Sequence, residues 1–197
     1  MNITVFASHG GSDMQAIIDG CKAGKINADV VAMITNNEDS MAYERAKKEG
    51  IDRYYLSHKE IPEAEELEKK MLEVLESHQT DMIFLAGYMR KLGDSILRKY
   101  ENRVFNIHPA LLPKYGGKGM YGIHVHEAVI AAGEPVTGVT IHRVNEQYDS
   151  GDIVAQTEVP VLAGDTADTL AERVLKREHE FLVEVISEIA DGKISLG

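Results

Sequence analysis

Short apolar runs alternate with longer amphipathic segments along the first half of the chain, and this alternation restricts the fold more than any other feature. Asn2–Ala7, Ala28–Thr35, Arg53–Leu56, Asp81–Ala86 and Arg103–Ile107 read as strands. Between them, Asp13–Ala23, Ser40–Glu49, Pro62–His78 and Asp94–Tyr100 read as helices. Met14, Ile17 and Ile18 fall at helical spacing, as do Leu67, Met71, Val74 and Leu75. Strands joined by helices of this length need right-handed crossovers, and hence a parallel sheet. Residues Met1 to about His108 are therefore expected to form an open, doubly wound, nucleotide-binding-like half. Ligands in such sheets sit beyond the carboxyl ends of the strands. That rule puts Ser8–Asp13, Gly87–Leu92 and Asn106–Pro109 on one edge.

The second half follows a different pattern. Ala110–Gly122 is rich in Gly, Pro and Lys and reads as a loop. His124–Ala132 is helical in pattern and is broken by Gly133-Glu134-Pro135. Val136–Val144 and Ile153–Val161 are strands, joined through Asn145–Asp152 as a hairpin-like extension, and Thr166–Asp191 is one long helix. The expected class is α/β: a Rossmann-like, mostly parallel sheet flanked by helices, with a C-terminal antiparallel extension and long helix. We expect a single domain over 1–197, with 1–108 the nucleotide-binding-like half and 109–197 supplying loop, sheet extension and helix.

Charge narrows the partners. With 32 Asp and Glu against 21 Lys and Arg, the 197-residue chain carries a net charge of −11. Net repulsion of that kind opposes binding to nucleic acid or an anionic membrane surface, but a local pocket of donors can still hold a small anion. The single cysteine, Cys21, has no internal partner for a disulfide, which fits a reducing compartment. Met1–Ala7 lacks a basic n-region, and no apolar run approaches the ~18–20 residues of a membrane span. A cytoplasmic location is expected, with no nucleic-acid and no membrane partner.

Four places carry chemistry. His9-Gly10-Gly11-Ser12 joins a strand to a helix, where glycine permits close approach and free N–H groups favour a phosphate. The same residues also suit a plain tight turn capped by Ser12. In Asn106-Ile107-His108-Pro109, residues two apart project together from an extended segment. An amide beside an imidazole fits acyl chemistry, with the amide stabilising an oxyanion and the imidazole moving a proton. The alternative is a structural pair bonding loop backbone. His108, His124, His126 and His142 lie close together in sequence and, with Asp149, offer a loose zinc pattern, although no recognised zinc motif accompanies them. Asp149-Ser150-Gly151 supplies either a carboxylate to hold an imidazole or the residues a turn needs. Glu178 and His179, taken alone, read as solvated helix residues, and Cys21 as a core residue.

Taken together, these segments resemble the folate-dependent formyltransferase family. Asn106-Ile107-His108-Pro109, followed by Leu111-Leu112-Pro113 and then Asp149-Ser150-Gly151, carries the signature. Ser8-His9-Gly10-Gly11-Ser12-Asp13-Met14-Gln15-Ala16-Ile17 is similar to the branch acting on glycinamide ribonucleotide. Leu85–Leu92, Gly164-Asp165-Thr166 and Arg173 to His179 extend the resemblance over essentially the whole chain. The resemblance implies formyl transfer from 10-formyltetrahydrofolate, a cosubstrate, to the amine of glycinamide ribonucleotide in purine biosynthesis, with no metal. It implies catalytic roles for Asn106, His108 and Asp149. It assigns substrate binding to Gly11, Ser12, Asp13 and Glu178. Folate binding would fall to Met89, Arg90, Lys91 and Leu92, to Asn106, and to Asn145, Glu146, Gln147, Tyr148 and Asp149.

Four departures stand out. Relatives commonly have Asn where this chain has Asp13, and many carry an Arg near Ala64, where Pro62-Glu63-Ala64-Glu65-Glu66 has none. Lys118–Gly122 looks inserted beside the site, and Leu175 occupies an often polar position. Within the family, a methionyl-tRNA formyltransferase is expected to need a further domain and a basic surface. A formyltetrahydrofolate hydrolase would share the catalytic residues and usually carries an N-terminal regulatory domain. A nucleotide sensor has no need of a proton relay, and a zinc hydrolase would need metal. The partners expected are the two small molecules, with the chain acting as a monomer or homodimer.

Overall fold

The computed structural model describes residues 1–147 and 149–196. Its order is β1 (Asn2–Phe6), α1 (Ser12–Lys22), β2 (Asp29–Thr35), α2 (Met41–Glu49), β3 (Asp52–Tyr55), α3 (Ala64–Ser77) and β4 (Met82–Leu85). There follow α4 (Asp94–Lys99), β5 (Val104–His108), α5 (Ile123–Ala131), β6 (Val136–Arg143), β7 (Ile153–Pro160) and α6 (Ala167–Ala190). The strands form a seven-stranded sheet in the order β3-β2-β1-β4-β5-β6-β7. β1 to β5 pair in parallel, whereas β6 and β7 run antiparallel to their neighbours. The mostly parallel α/β sheet with an antiparallel extension and long final helix is the architecture expected from the sequence.

Successive side chains of a strand point to opposite faces, and here both faces are buried. Ile3 and Val5 of β1 and Phe84 of β4 join Met14, Ile17, Ala42, Val129 and Leu182 in a core beneath α1, α2, α5 and α6. Phe6, Ile83 and Leu85 face the other way, against Leu67, Met71, Leu75 and Ile96 of α3 and α4. Coverage of both faces explains why β4 reads as an unbroken apolar run. The crossovers from β1 and β4 therefore leave on opposite sides of the sheet. That opens a crevice at the carboxyl ends of these adjacent strands.

Two local expectations change. Gly11, not Ser12, is the residue before α1. It sits in the left-handed region at φ 69°, and no side chain caps the helix. Glu178 lies on the buried stripe of α6 with Leu170, Val174, Phe181 and Leu182, rather than on a solvated face. Its position at i+4 from Val174 and i−4 from Leu182 is the periodicity of a core-facing residue. Helix α6 starts at a capping box in which the Thr166 and Thr169 side chains bond each other's backbone N–H.

Candidate active site

The end of β5 brings two functional groups to one face, and β6 supplies a third opposite them. Antiparallel pairing sets Asn106 across from His142 and His108 across from Thr140. His142 donates Nδ1–H to the Arg143 carbonyl at 2.8 Å. Its Nε2 is thereby left as an acceptor, and Asn106 Nδ2 donates to it at 3.0 Å. One amide N–H of Asn106 is thus engaged, and among the described residues no hydrogen bond takes the other. His142, considered from sequence only as a metal ligand, instead fixes the orientation of the Asn106 carboxamide.

His108 is buried and donates Nε2–H to the Tyr115 carbonyl at 2.7 Å. Its Nδ1 lies 3.8 Å from Asp149 Oδ2. Burial lowers the His108 pKa below the ordinary imidazole value, against the opposing pull of Asp149 and the bond to Tyr115. The Asp149 carboxylate also accepts from the Gly117 N–H at 2.8 Å and lies 3.5 Å from His142 Nε2. Burial pushes the Asp149 carboxyl up. The adjacent His142 ring, the Gly117 N–H and the His108 imidazole outweigh that effect and leave it below its ordinary value. The site therefore joins an amide donor, an imidazole held as a base and an ionised carboxylate.

Backbone geometry makes this contact possible. A Cβ on Gly116 would lie 2.5 Å from Leu112 Cδ2 and 3.2 Å from Asp149 Cβ, so glycine lets this loop lie close against Asp149 without displacing either side chain. A Cβ on Gly151 would lie 1.8 Å from the Arg143 carbonyl oxygen. Asp149-Ser150-Gly151 thus serves both of its sequence readings, as a turn and as the source of a carboxylate. Thr140, fully buried, accepts from Leu112 N–H at 3.1 Å and donates to the Ala110 carbonyl at 2.6 Å. Gln156 Nε2 donates to Thr140 Oγ1 at 2.8 Å and to the Leu112 carbonyl at 2.9 Å. These two residues pin the loop that carries Tyr115. Neither was singled out from sequence, because strand residues far apart in the chain give no local signal.

The start of α1 forms a second group of donors. Gln15 N–H is the first to bond back, to the Gly11 carbonyl at 3.0 Å, which leaves Ser12, Asp13 and Met14 N–H without intrahelical partners. A Cβ on Gly11 would lie 2.7 Å from Ala42 Cβ, so glycine lets α2 close over the turn. Arg45 on α2 donates to the Gly10 carbonyl at 2.9 Å. Against this turn packs α6, which brings Glu178 and His179 to Asp13. Burial pushes the Glu178 carboxyl well above the carboxylate range. The Asp13 charge and their mutual hydrogen bond add to that shift.

The residues expected to bind folate divide between two places. Arg90, Lys91 and Leu92 line a cleft of about 650 Å³ with Asn36, Tyr55, Ser57, Lys59, Ala64 and Tyr88. Met89 N–H donates to Ser8 Oγ at 2.8 Å. Asn145, Glu146, Gln147 and Asp149 lie on the loop before β7, and Tyr148 is outside the described residues. Lys91 Nζ reaches that loop, donating to the Glu146 carbonyl at 3.0 Å. The cations Lys59 and Arg90 border the same cleft as Ala64.

Among the described residues no group of three His, Cys, Asp or Glu is arranged to hold a metal. His124 pairs with Glu127 at an exposed position, and His126 is buried on α5. Cys21 packs against the core, and burial pushes its thiol up to about 11. No described helix is long and apolar enough to cross a membrane.

Known proteins share both sequence and fold. The formyl transferase family model matches residues 1–186. Chloroplastic phosphoribosylglycinamide formyltransferase from Arabidopsis thaliana is 42% identical over 193 residues, covering 98% of this chain and 66% of its own length. Phosphoribosylglycinamide formyltransferase from Escherichia coli is 37% identical over 196 residues, covering 100% of this chain and 90% of its own length. The crystal structure of glycinamide ribonucleotide transformylase 1 from Symbiobacterium toebii superposes with a TM-score of 0.90 at 35% identity, over 98% of this chain and 88% of that one. This chain spans just under two thirds of the plant relative, at 66%. By its match to the family model and its identity to these relatives, the chain belongs to the formyl transferase family.

Proposed function

We propose that the chain transfers the formyl group of 10-formyltetrahydrofolate directly to the amine of glycinamide ribonucleotide, a step in purine biosynthesis. The observation that carries this reading is the meeting of Asn106, His108 and Asp149 at the end of β5, in a chain 42% identical to a phosphoribosylglycinamide formyltransferase. The amine nitrogen bonds to the formyl carbon, and the bond from that carbon to the folate nitrogen breaks. The second Asn106 N–H meets the formyl oxygen as it gains charge. His108 Nδ1 carries the proton from the attacking amine to the departing folate nitrogen, and Asp149 steadies the imidazolium between these steps. Holding both substrates together supplies much of the acceleration, and the reaction needs no metal or covalent intermediate.

In this reading the phosphate meets Gly11 and the open N–H groups of Ser12 and Asp13, and Glu178 faces the ribose or glycinamide end. The folate occupies the cleft at Arg90–Leu92 and reaches the loop at Asn145–Asp149, with Met89 at its edge. The chain acts as one domain over 1–197, as a monomer or homodimer, in the cytoplasm, without nucleic-acid or membrane partners. Mixing purified protein with both substrates and following tetrahydrofolate release tests the reading. Release that depends on the ribonucleotide is expected. Equal release without it would identify a hydrolase, and no release would exclude the transferase reading.

A further inference from the structure

Helix α2 takes up the carbonyl groups of the turn before α1 in succession. Ala42 N–H donates to the His9 carbonyl at 2.9 Å, and Arg45 Nε donates to the Gly10 carbonyl at 2.9 Å. The next carbonyl, that of Gly11, accepts Gln15 N–H at 3.0 Å. In a trans peptide the carbonyl and the following N–H point in opposite directions, and among the described residues only Leu112-Pro113 is cis. The bond to Arg45 therefore turns the Gly11 N–H away from the guanidinium. Gly11 is left-handed at φ 69° and ψ 26°, and Ser12 opens the right-handed helix. Such a change of hand between neighbours gathers successive N–H groups, here those of Gly11, Ser12 and Asp13, around an anion-binding concavity. Among the described residues no hydrogen bond takes any of the three.

The peptide between the two glycines is the one that local sterics hold least. A Cβ on Gly10 would meet nothing within 4 Å, so packing does not fix this residue. Gly11 is glycine by necessity, since a Cβ there would lie 2.7 Å from Ala42 Cβ and 2.8 Å from Ala42 Cα. Glycine adopts either sign of φ about equally readily, so the Gly10–Gly11 peptide can turn over at little steric cost. Turned over, it would present the Gly10 carbonyl oxygen to an anion in place of the Gly11 N–H. Arg45 opposes that state, because its charged donor would then face an N–H instead of an acceptor.

We propose that Arg45 is a positioning residue for the ribonucleotide phosphate. Its bond to the Gly10 carbonyl holds the Gly10–Gly11 peptide so that the Gly11 N–H serves as a third donor beside those of Ser12 and Asp13. The proposal rests on the phosphate reading of this turn given above. Arg45 acts through the peptide, so the Nε–H donor matters more than the charge. The third donor counts here because the Asp13 side chain, bonded to Glu178 on α6, adds a carboxylate beside the turn.

Two substitutions separate the donor from the charge. Gln places Nε2 as many bonds from the backbone as Arg places Nε, and Met fills the same length without a donor. Ribose 5-phosphate is titrated into each nitrogen-15-labelled protein in about 0.5 M salt, which screens exposed charge, and the amide signals of Gly11, Ser12 and Asp13 are followed. All three should shift together in the wild type. Arg45→Met should bind at least about tenfold more weakly, as for a lost hydrogen bond to a charged group. Its Gly11 shift should vanish while those of Ser12 and Asp13 persist. Arg45→Gln should bind within about threefold of the wild type and keep the Gly11 shift. A Gly11 amide unmoved in the wild type, wild-type binding by Arg45→Met, loss of all three shifts in Arg45→Met, or an equal loss in both variants would each overturn the proposal alone. Failure of Ser12 and Asp13 to shift in the wild type would overturn the phosphate reading and the proposal with it.

Discussion

The bond from His108 Nε2–H to the Tyr115 carbonyl, 2.7 Å long, decides which nitrogen of this imidazole faces Asp149. With Nε2 committed, Nδ1 is the basic atom, 3.8 Å from Asp149 Oδ2. A base of this kind contributes about 10²–10⁴-fold to a rate. His108→Ala is therefore expected to lower kcat by a factor in that range with little change in KM for either substrate. Steady-state kinetics with each substrate varied will check it, and a purely KM effect would remove His108 from the proton path.

Asp149 and burial act on His108 in opposite directions, which gives a signed pH effect. Burial lowers the His108 pKa and Asp149 raises it. The base form of His108 is needed, so activity falls on the acid side as this ring gains a proton. Asp149→Asn removes the opposing pull, and the acid limb of the kcat profile should move to lower pH while its plateau drops. A limb that moved to higher pH would mean that another group sets it.

The loop carrying Tyr115 depends on two distant side chains. Thr140→Val removes the acceptor of Leu112 N–H and the donor to the Ala110 carbonyl, both within the fold. Leaving buried backbone groups unpaired costs about 1–3 kcal/mol, which urea unfolding will measure. Gln156→Met should cost less, because Thr140 keeps its two backbone bonds, yet it should still lower kcat by loosening the loop. An unchanged kcat in Gln156→Met would show that Thr140 alone is enough to hold Tyr115.

Local pattern was enough to read the elements and their order, because each strand and helix carries its own periodicity and turn residues. The pairing of Asn106 with His108 was legible for the same reason, since it follows from residues two apart on one strand. The partners of that pair were not. His142 meets Asn106 only through antiparallel register, and Tyr115 contributes a backbone carbonyl, which no residue type advertises. Glu178 was legible in part: its place on the stripe between Val174 and Leu182 marks it as buried, but its polarity favoured the solvated reading. That it meets Asp13 depends on the packing of α6 against α1, which lies beyond local pattern.

Glu178 links stability to pH. Its carboxyl is raised in the folded protein, chiefly by burial and then by Asp13. The unfolded chain releases this proton near pH 4.3. The contribution to stability is therefore fully present below that pH and is lost as pH rises toward the folded-state value. Glu178→Gln keeps a donor toward Asp13 without a titrating proton. Urea midpoints measured from pH 4 to pH 8 should fall less steeply in the variant than in the wild type. Parallel slopes would mean that Glu178 does not hold its proton in the fold.

Gly151 separates the turn's backbone demand from the carboxylate it presents. A Cβ there would lie 1.8 Å from the Arg143 carbonyl oxygen, a backbone atom that also borders the β6–β7 pairing. Because Arg143 N–H bonds the Asp152 carbonyl at 2.9 Å, neither side of the turn yields without breaking that contact. Gly151→Ala should therefore displace the turn and, two residues earlier, Asp149. Overpacking of this kind costs about 1–3 kcal/mol, leaving the rest of the sheet folded. We expect kcat to approach that of Asp149→Asn while circular dichroism stays close to the wild type. Retention of full activity would show that Asp149 holds its place through the Gly117 N–H and the two imidazoles, independently of the turn.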